Sequence, residues 1–312
     1  TLRLSLDMTD VLAKIEHAGI KINLDTLSDI RNEYEHELTT IDKRLKEIIS
    51  DVMGDTPINL NSADDRSKLF YSRRIYDKNI WSRLFNIGHE VRGATRKIKM
   101  RNRMSKTAFA KAIRNNTEVI RKTTGYQCST CEGQGRLRLK LKNGQLGKAN
   151  RLCKSCKATG MVYVKSKEVA GLRMLPRNTK DVAQAGFKTD KTTLEDMLSS
   201  LDGAAKEFVG LYVRYSALRT YLSTFVEGME NNVDENSFIH PEFMQCITAT
   251  GRLSSRNPNF QNMPRGSTFR IRKVVESRFE GGSIIEGDYS QLEFRVAGFL
   301  AQDKQVFRDV SE

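Results

Sequence analysis

The chain has 312 residues, of which 38% are hydrophobic and 29% are charged, a mixture typical of a globular protein with a sizeable core. No apolar run approaches the roughly 20 residues that cross a bilayer, and the first residues lack a signal-peptide pattern, so a membrane span is excluded. The chain starts at Thr1 rather than Met, which favours a piece of a longer protein.

The net charge of +14 is unevenly distributed. Residues 66–168 contain 27 basic and 5 acidic side chains, whereas the rest of the chain contains 25 basic and 33 acidic side chains. An excess of +22 in one segment repels itself, so it predicts a polyanionic partner such as nucleic acid. A solvated, partly disordered basic stretch is the alternative. Five aromatic residues lie among the charges and are expected to stack on bases: Phe70, Tyr71, Tyr76, Trp81 and Phe85.

Helices are predicted before, within and after this basic segment. Apolar residues recur at steps of three and four from Leu27 to Ile48, which predicts an amphipathic helix of about six turns, capped by Asp25. Ser62 is predicted to cap a short helix. Further helices are expected over 106–122 and 193–227.

Four cysteines form two CxxC pairs, Cys128 with Cys131 and Cys153 with Cys156, separated by 21 residues. Two residues between cysteines let both sulfurs of a tight turn face one ion, and two such pairs supply the tetrahedral four-sulfur shell that Zn²⁺ prefers. Alternating leucines and basic residues between the pairs, with Asn143-Gly144 as the turn, predict a β-hairpin. A structural zinc ion is therefore predicted, with free or disulfide-bonded cysteines as the alternative.

Four cysteines close the zinc shell, so a catalytic zinc is not predicted. The first pair, in the pattern CxxCxGxG, resembles the cysteine-rich zinc domain of DnaJ-type chaperones, whereas the second, CKSCKATG, lacks the first glycine. This resemblance implies a fold element rather than a chaperone, because the hairpin is rich in Lys and Arg. Cys246 stands alone and is predicted to be a buried small side chain.

Two C-terminal segments carry the candidate chemistry. TATGRLSSRNPNFQNMPRG, residues 248–266, is rich in amides that can contact the acceptors in the minor groove of every base pair, although a polar loop would have the same composition. In SIIEGDYSQLEFRVAGFLAQD, residues 283–303, Asp288 is predicted to end an apolar strand and to precede a helix over 291–300. A carboxylate in that position is a good Mg²⁺ ligand, and a helix cap is the alternative.

Together these segments resemble the family A, polymerase I-like DNA polymerases, especially phage replicative forms. TATGRLSSRNPNFQNMP is similar to the family's TxTGRLSSxxPNLQNIP, and DYSQLEFRVAGFLAQD is similar to its motif A, DYSQIELRxxAHLSxD. INLNSADDRSKLF resembles the element that opens the thumb, and RTYLSTF resembles a later thumb helix. The resemblance is specific over 217–303, looser over 5–70 and absent over 71–175.

The resemblance implies roles for particular residues. Asp288 would be the first of two catalytic aspartates and would bind both Mg²⁺ ions, with the backbone carbonyl of Tyr289 completing the shell. Glu293 would close over the 2′ position of the sugar and reject ribonucleotides. Nucleic-acid contacts would come from these side chains: Arg252, Asn259, Gln261 and Arg219.

The implied fold is α+β, with a mainly helical thumb, a small zinc-bound β-hairpin insertion and the start of a palm β-sheet. Its expected divisions are an N-terminal helical region over 1–70, a basic insertion over 71–175 with the zinc module at 126–165, thumb helices over 176–245 and a palm portion over 246–312.

The implied activity is addition of deoxynucleotides to a primer 3′ end on a template, in the cytoplasm of a bacterial or phage-infected cell. Expected partners are primer-template DNA, deoxynucleoside triphosphates and a processivity factor docked on the basic insertion. The fingers and the second aspartate would follow Glu312, so this chain alone is not expected to polymerise. A non-catalytic zinc-containing nucleic-acid-binding module and one half of a split polymerase are the alternatives.

Overall fold

The computed structural model describes residues 2–87, 104–140, 146–264 and 268–309. The chain divides into two compact units, Glu33–Tyr221 and a second unit that combines Thr1–Asn32 with Leu222–Glu312. Both units mix helices and strands, as the expected fold class requires. Among the described residues, no helix combines the length and the apolar character that a bilayer crossing needs.

The helices and strands are as follows in chain order. In the described ranges the α-helices are α1 (Leu2–Ala18), α2 (Leu24–Met53), α3 (Ala63–Tyr71), α4 (Lys78–Phe85), α5 (Lys106–Asn116), α6 (Lys191–Leu198), α7 (Gly203–Tyr221), α8 (Glu227–Glu230), α9 (Leu292–Ala301) and α10 (Lys304–Asp309). The β-strands are β1 (Ile20–Ile22), β2 (Arg73–Ile75), β3 (Thr117–Val119), β4 (Arg121–Gln127), β5 (Arg136–Lys140), β6 (Leu146–Leu152), β7 (Met161–Val169), β8 (Val182–Ala183), β9 (Gly186–Phe187), β10 (Phe238–Ile239), β11 (Glu242–Met244), β12 (Ser254–Arg256) and β13 (Val275–Glu276).

The periodic apolar residues of the N-terminal region do form the long helix α2, and its buried positions include Leu27, Tyr34 and Leu45. Its cap, however, is not Asp25. The side chain of Asn23 accepts a hydrogen bond from the backbone N–H of Thr26 at 2.8 Å, so the helix begins two residues earlier than predicted.

The aromatic residues of the basic segment mostly form a core rather than a stacking surface. Of the five that were expected to stack, Phe70, Tyr71, Trp81 and Phe85 are each at most 2% exposed, whereas Tyr76 is 64% exposed. Trp81 and Phe85 lie four residues apart on one face of α4, with ring centroids 4.7 Å apart. The expectation that these rings stack on bases is therefore wrong for all but Tyr76, because helical spacing turns them inwards.

Trp81 is the largest buried side chain in this core. Its indole N–H donates to the carbonyl of Ala183 at 2.9 Å, and its ring packs against Phe187 with centroids 5.5 Å apart. We expect Trp81→Ala to lower the free energy of unfolding by about 3–5 kcal/mol, through the cavity and the carbonyl left without a donor. Urea denaturation measures this. The neighbouring Ile80→Ala, at a position 48% exposed, should change stability by less than about 0.5 kcal/mol.

In the described ranges, four antiparallel strand pairs build the region between α3 and α6. Strand β2 pairs with β3, β4 pairs with β7, β5 pairs with β6, and β8 pairs with β9. The helix predicted over 106–122 stops at Asn116, because the β-branched Thr117 and Val119 pair with Ile75 and Arg73 instead. The turn predicted at Asn143-Gly144 lies outside the described residues.

The base of the β4–β7 ribbon is tied to the loop after α2. The backbone N–H of Asp55 donates to the carbonyl of Thr123 at 2.9 Å, and the carboxylate of Asp55 accepts from the backbone N–H of Gly125 at 2.7 Å. The backbone N–H of Gly171, after β7, donates to the carbonyl of Val52 at 2.9 Å. These bonds anchor the ribbon independently of the segment at its far end.

Other predicted elements agree in part with the structure. Ser62 caps α3, and its side chain accepts from the N–H of Asp65 at 3.3 Å, as predicted. The helix expected over 193–227 is interrupted before Gly203 and gives α6, α7 and a π-helical turn, Leu222–Val226.

The palm-like segment differs from its prediction. Residues 283–289 form no strand, and the side chains of Ile284 and Ile285 are 60% and 92% exposed. A strand needs a neighbour for its ladder of hydrogen bonds, and no described strand pairs with these residues. The expectation that Asp288 ends a strand is therefore wrong, whereas helix α9 follows where it was predicted. The described strands of this unit instead form an antiparallel sheet of order β10-β1-β13 and a separate antiparallel pair, β11 with β12.

Candidate functional site

The four cysteines of the two CxxC pairs come together in one buried cluster. Their sulfur atoms all lie within 4.8 Å of one another, and none of the four side chains is more than 5% exposed. Sulfur–sulfur distances are 3.8 Å between Cys128 and Cys153 and 3.6 Å between Cys131 and Cys156. Leu137 of β5 packs against the cluster. A tetrahedral zinc site with Zn–S bonds of about 2.3 Å places its sulfurs about 3.8 Å apart, so this cluster fits zinc.

The two pairs sit in turns that repeat the same hydrogen bonds. The N–H of Cys128 donates to the carbonyl of Gly160 at 2.8 Å, and the N–H of Cys153 donates to the carbonyl of Gly135 at 2.9 Å. Further along each turn, the N–H of Gly135 points at the sulfur of Cys131 at 3.2 Å, and the N–H of Gly160 points at that of Cys156 at 3.3 Å. We call these turns the first knuckle, residues 128–135, and the second knuckle, residues 153–160.

Backbone donors and burial act on the thiols in opposite directions. Hydrogen bonding from the backbone N–H of Cys156 lowers the pKa of Cys153 to about 7. Burial raises the pKa of Cys131 to about 12. Because zinc binds thiolates, the donors of the knuckles favour the form that a metal ion needs.

Glycines are required where the knuckles close on each other. A Cβ on Gly135 would lie 2.3 Å from the carbonyl oxygen of Ala158, and one on Gly160 would lie 2.2 Å from that of Gly133. Both glycines also have positive φ, 70° and 78°. These close approaches leave no space for any side chain.

The knuckles differ at one strained position. Gly133 has a φ of 80°, and the equivalent residue of the second knuckle is Ala158 at 69°, where an alanine is strained. We expect Ala158→Gly to stabilise the module by about 0.5–1 kcal/mol, net of the larger unfolded-state entropy of glycine. The reciprocal Gly133→Ala should destabilise it and must also displace the side chain of Gln127. Competition for zinc with a chelator measures the effect of both substitutions. If both changed the zinc affinity in the same direction, the strain assigned to Ala158 would be contradicted.

In the other unit, two residues expected to act at the primer end contact each other. Arg252 forms an ion pair with Glu293 in the first turn of α9. Hydrogen bonding to Glu293 raises the pKa of Arg252. Both side chains are more than two-thirds exposed, so solvent screens the pair and leaves either group available to a ligand. The hydroxyl of Thr248 donates to the carbonyl of Arg252 at 2.7 Å and so holds the loop that carries it.

The amide residues expected in the minor groove are organised by a serine that the sequence did not single out. Ser255, in β12, is 3% exposed. Its hydroxyl bonds to the side-chain oxygen of Asn259 at 3.1 Å and accepts from the backbone N–H of Gln261 at 3.4 Å. One buried hydroxyl therefore positions both residues. The only sequence signal for it was the second serine of GRLSSR.

Asp288 and Tyr289 lie next to each other in the irregular segment before α9, and both are exposed. Within the described part of the chain, no hydrogen bond or ion pair holds the carboxylate of Asp288. It is therefore open to a cation. With the carbonyl of Tyr289 it offers hard oxygen donors of the kind that Mg²⁺ binds, but only part of a shell.

Arg219 lies in α7, in the unit Glu33–Tyr221. Its guanidinium donates to the side-chain oxygen of Asn61 at 2.6 Å. Asn61 belongs to INLNS, so this bond joins the two segments that resemble thumb elements. Sequence reasoning did not identify Asn61 as a partner.

The prediction that Cys246 is buried is wrong. Cys246 is exposed and has a φ of 60°, so it is not the buried small side chain that its isolation suggested.

Comparison with known proteins identifies one family. The family model described as "DNA polymerase family A" matches residues 153–312, slightly more than half of the chain. DNA polymerase I of Treponema pallidum is 37% identical over 123 residues, which cover 39% of this chain and 12% of that protein. Thermostable DNA polymerase I of Thermus filiformis is 38% identical over 132 residues, which cover 39% of this chain and 16% of that protein.

A viral relative is also found. The DNA polymerase of Bacillus phage SP01 is 35% identical over 120 residues, which cover 35% of this chain and 13% of that protein. The chain therefore spans only a small part of the length of these relatives. A structural match is found to the solved POL domain of Pol1 from M. smegmatis, in complex with DNA primer-template and dNTP. The match covers 96% of this chain and 34% of that chain, with 21% sequence identity and a TM-score of 0.49. That likeness is too weak to carry an argument.

The matched range begins at Cys153 and contains both C-terminal segments, with Arg252, Asp288 and Glu293. Since the family model covers more than half of the chain, the protein belongs to DNA polymerase family A.

Proposed function

We propose that this chain is part of an enzyme that adds deoxynucleotides to a primer 3′ end on a DNA template and releases pyrophosphate. The observation that carries the proposal is the family match over 153–312, which contains the exposed carboxylate of Asp288 next to α9. Relatives of this chain include the DNA polymerases I of Treponema pallidum and Thermus filiformis. The substrates are then primer-template DNA and deoxynucleoside triphosphates.

Asp288 and the carbonyl of Tyr289 would hold magnesium in this reaction. Such ions, when bound, favour the deprotonated primer 3′-OH and neutralise charge on the leaving pyrophosphate. Asp288 contributes a carboxylate that has no competing partner among the described residues. Asp288 and the carbonyl of Tyr289 do not by themselves complete the coordination shells of two ions, which would need the second catalytic aspartate as well.

The remaining site residues would position DNA and the nucleotide. Arg252 would contact the minor groove at the primer terminus, with Asn259 and Gln261 beside it, and Arg219 would contact DNA from α7. Glu293, one residue into α9, would exclude the 2′-hydroxyl of a ribonucleotide. For this role its ion pair with Arg252 must open or move, which its exposure allows.

The cysteine cluster would hold a structural zinc ion. Four buried sulfurs at tetrahedral spacing, each pair aided by a backbone N–H, support zinc over free thiols. With four protein ligands the ion has no position for substrate. Its contribution is to fix the knuckles and the β5–β6 hairpin.

Primer extension tests the proposed function. We expect the 312-residue chain alone to leave a primed template unextended, because it supplies one of two catalytic aspartates, and the whole gene product to extend it with deoxynucleotides and Mg²⁺. Recovery of activity only after mixing with a second gene product would identify a split polymerase. Absence of extension by the whole gene product and by every such mixture would contradict the proposal and favour a non-catalytic DNA-binding module.

A further inference from the structure

The zinc module carries a charge that the rest of its unit does not balance. Residues 128–160 contain eight basic side chains and one acidic side chain. Elsewhere in the same unit, arginines pair with acids, as Arg44 does with Glu207 and Arg214 with Glu37, both at 2.7 Å. In the described part of the module, the exposed basic residues form no ion pair. We call four of them the module patch: Arg136, Arg138, Lys154 and Lys157.

The hairpin directs two of these charges outwards. Leu137 packs against the cysteine cluster, and side chains alternate along a strand, so Arg136 and Arg138 lie on the face away from the cysteines. Residues two apart on one face of a strand are about 6.8 Å apart, close to the spacing of successive phosphates along a nucleic-acid strand. Arg136 pairs in register with Leu152, two residues before Lys154. Arg151, which is also exposed, pairs with Leu137 and so lies on the other face, outside the patch.

The two knuckles supply an internal comparison. Cys128 and Cys153 are equivalent, so Ser129 and Glu132 of the first knuckle correspond to Lys154 and Lys157 of the second. Glu132 and Lys157 share the same backbone conformation, with φ values of 49° and 50°. Since the first knuckle folds with serine and glutamate at these places, the lysines are not needed for the fold. Binding to a ligand would explain why the second knuckle has lysines at these two positions.

The composition of the module favours one kind of ligand. Residues 128–160, the two knuckles and the hairpin that carry the module patch, contain no Phe, Trp, Tyr or His, and the two tyrosines of the zinc module, Tyr126 and Tyr163, lie in the β4–β7 ribbon. Proteins that bind single strands stack bases on aromatic rings, and protein interfaces use aromatic anchors and are poor in lysine. Phosphate contacts along a duplex need only Lys and Arg. We propose that the module patch binds the phosphate backbone of duplex DNA without sequence preference. This inference adds a duplex contact to the proposed polymerase and rests on that function for its biological setting.

Binding of the zinc-loaded full-length protein to duplex and single-stranded oligonucleotides, by fluorescence anisotropy at about 50–200 mM KCl, tests the inference. The key variant, K154S/K157E, gives the second knuckle the side chains of the first. We expect weaker duplex binding and a slope of log K against log salt reduced by about 1.8, because each neutralised phosphate contributes about 0.9 to that slope. Zinc content and circular dichroism should match the parent.

Controls separate the possible causes. K43Q/K206Q removes two exposed lysines of α2 and α7, outside the basic segment, and should change the slope less than the patch variant. R136Q/R138Q tests the strand half and keeps the inference testable if K154S/K157E loses zinc. Unchanged duplex affinity and slope in both patch variants would overturn the inference, as would a loss of affinity confined to single-stranded oligonucleotides. Primer extension by the variants on short templates reports on the proposed polymerase separately.

Discussion

Replacing Asp288 by Asn in the whole gene product should abolish primer extension. Asparagine keeps the size of the side chain but loses the negative charge that attracts a divalent cation. Substitution of groups that only support metal ligands already lowers metal affinity or activity by about 10–100-fold. Loss of a direct ligand should therefore lower the rate of nucleotide incorporation by more than about 100-fold. Single-turnover incorporation of one deoxynucleotide measures the effect.

The position of Asp288 makes this test specific. The carboxylate is exposed and holds no partner among the described residues, so its replacement should leave folding and DNA affinity unchanged. Glu280→Gln provides the matched control, because Glu280 is also exposed and belongs to no proposed site. Incorporation at the parental rate by the Asp288→Asn enzyme would refute the role given to this residue and, with it, the proposed mechanism.

Sequence patterns predicted best where the structure is local. The cysteine spacing predicted the buried four-sulfur cluster, because two residues between ligands fix a turn whatever surrounds it. Periodicity predicted α2 for a similar reason, since one apolar face repeats along a helix. In both cases neighbouring residues contain the necessary information.

Prediction failed where the answer depended on distant parts of the chain. Charges around Phe70 and Trp81 suggested an exposed basic surface, but the spacing of Trp81 and Phe85 was the better signal, because residues four apart share one helical face. An apolar run before Asp288 resembled a strand, yet a strand forms only with a partner for its hydrogen bonds. The role of Ser255 could not be predicted from its place in GRLSSR, because its burial depends on how β12 packs.

Loss of one cysteine ligand should unfold the zinc module while sparing the aromatic core. We expect Cys153→Ala to reduce bound zinc from about one ion per chain to a small fraction, because three sulfurs no longer close the shell. Structural zinc contributes about 10–16 kcal/mol in small zinc-folded peptides, far more than a two-stranded hairpin gains by itself. Residues 126–165 should therefore lose protection in amide hydrogen exchange.

The rest of the unit has its own support. Trp81 and Phe187 pack without any module residue, and the bond from Asp55 to Thr123 holds the base of the ribbon. Protection of α4 and of the β2–β3 pair should therefore remain at the parental level. Cys246→Ala is the matched control, since it removes the exposed cysteine outside the cluster and should leave zinc content unchanged. Full zinc occupancy in Cys153→Ala, or a parent protein that binds no zinc, would show that the four sulfurs are not a metal site.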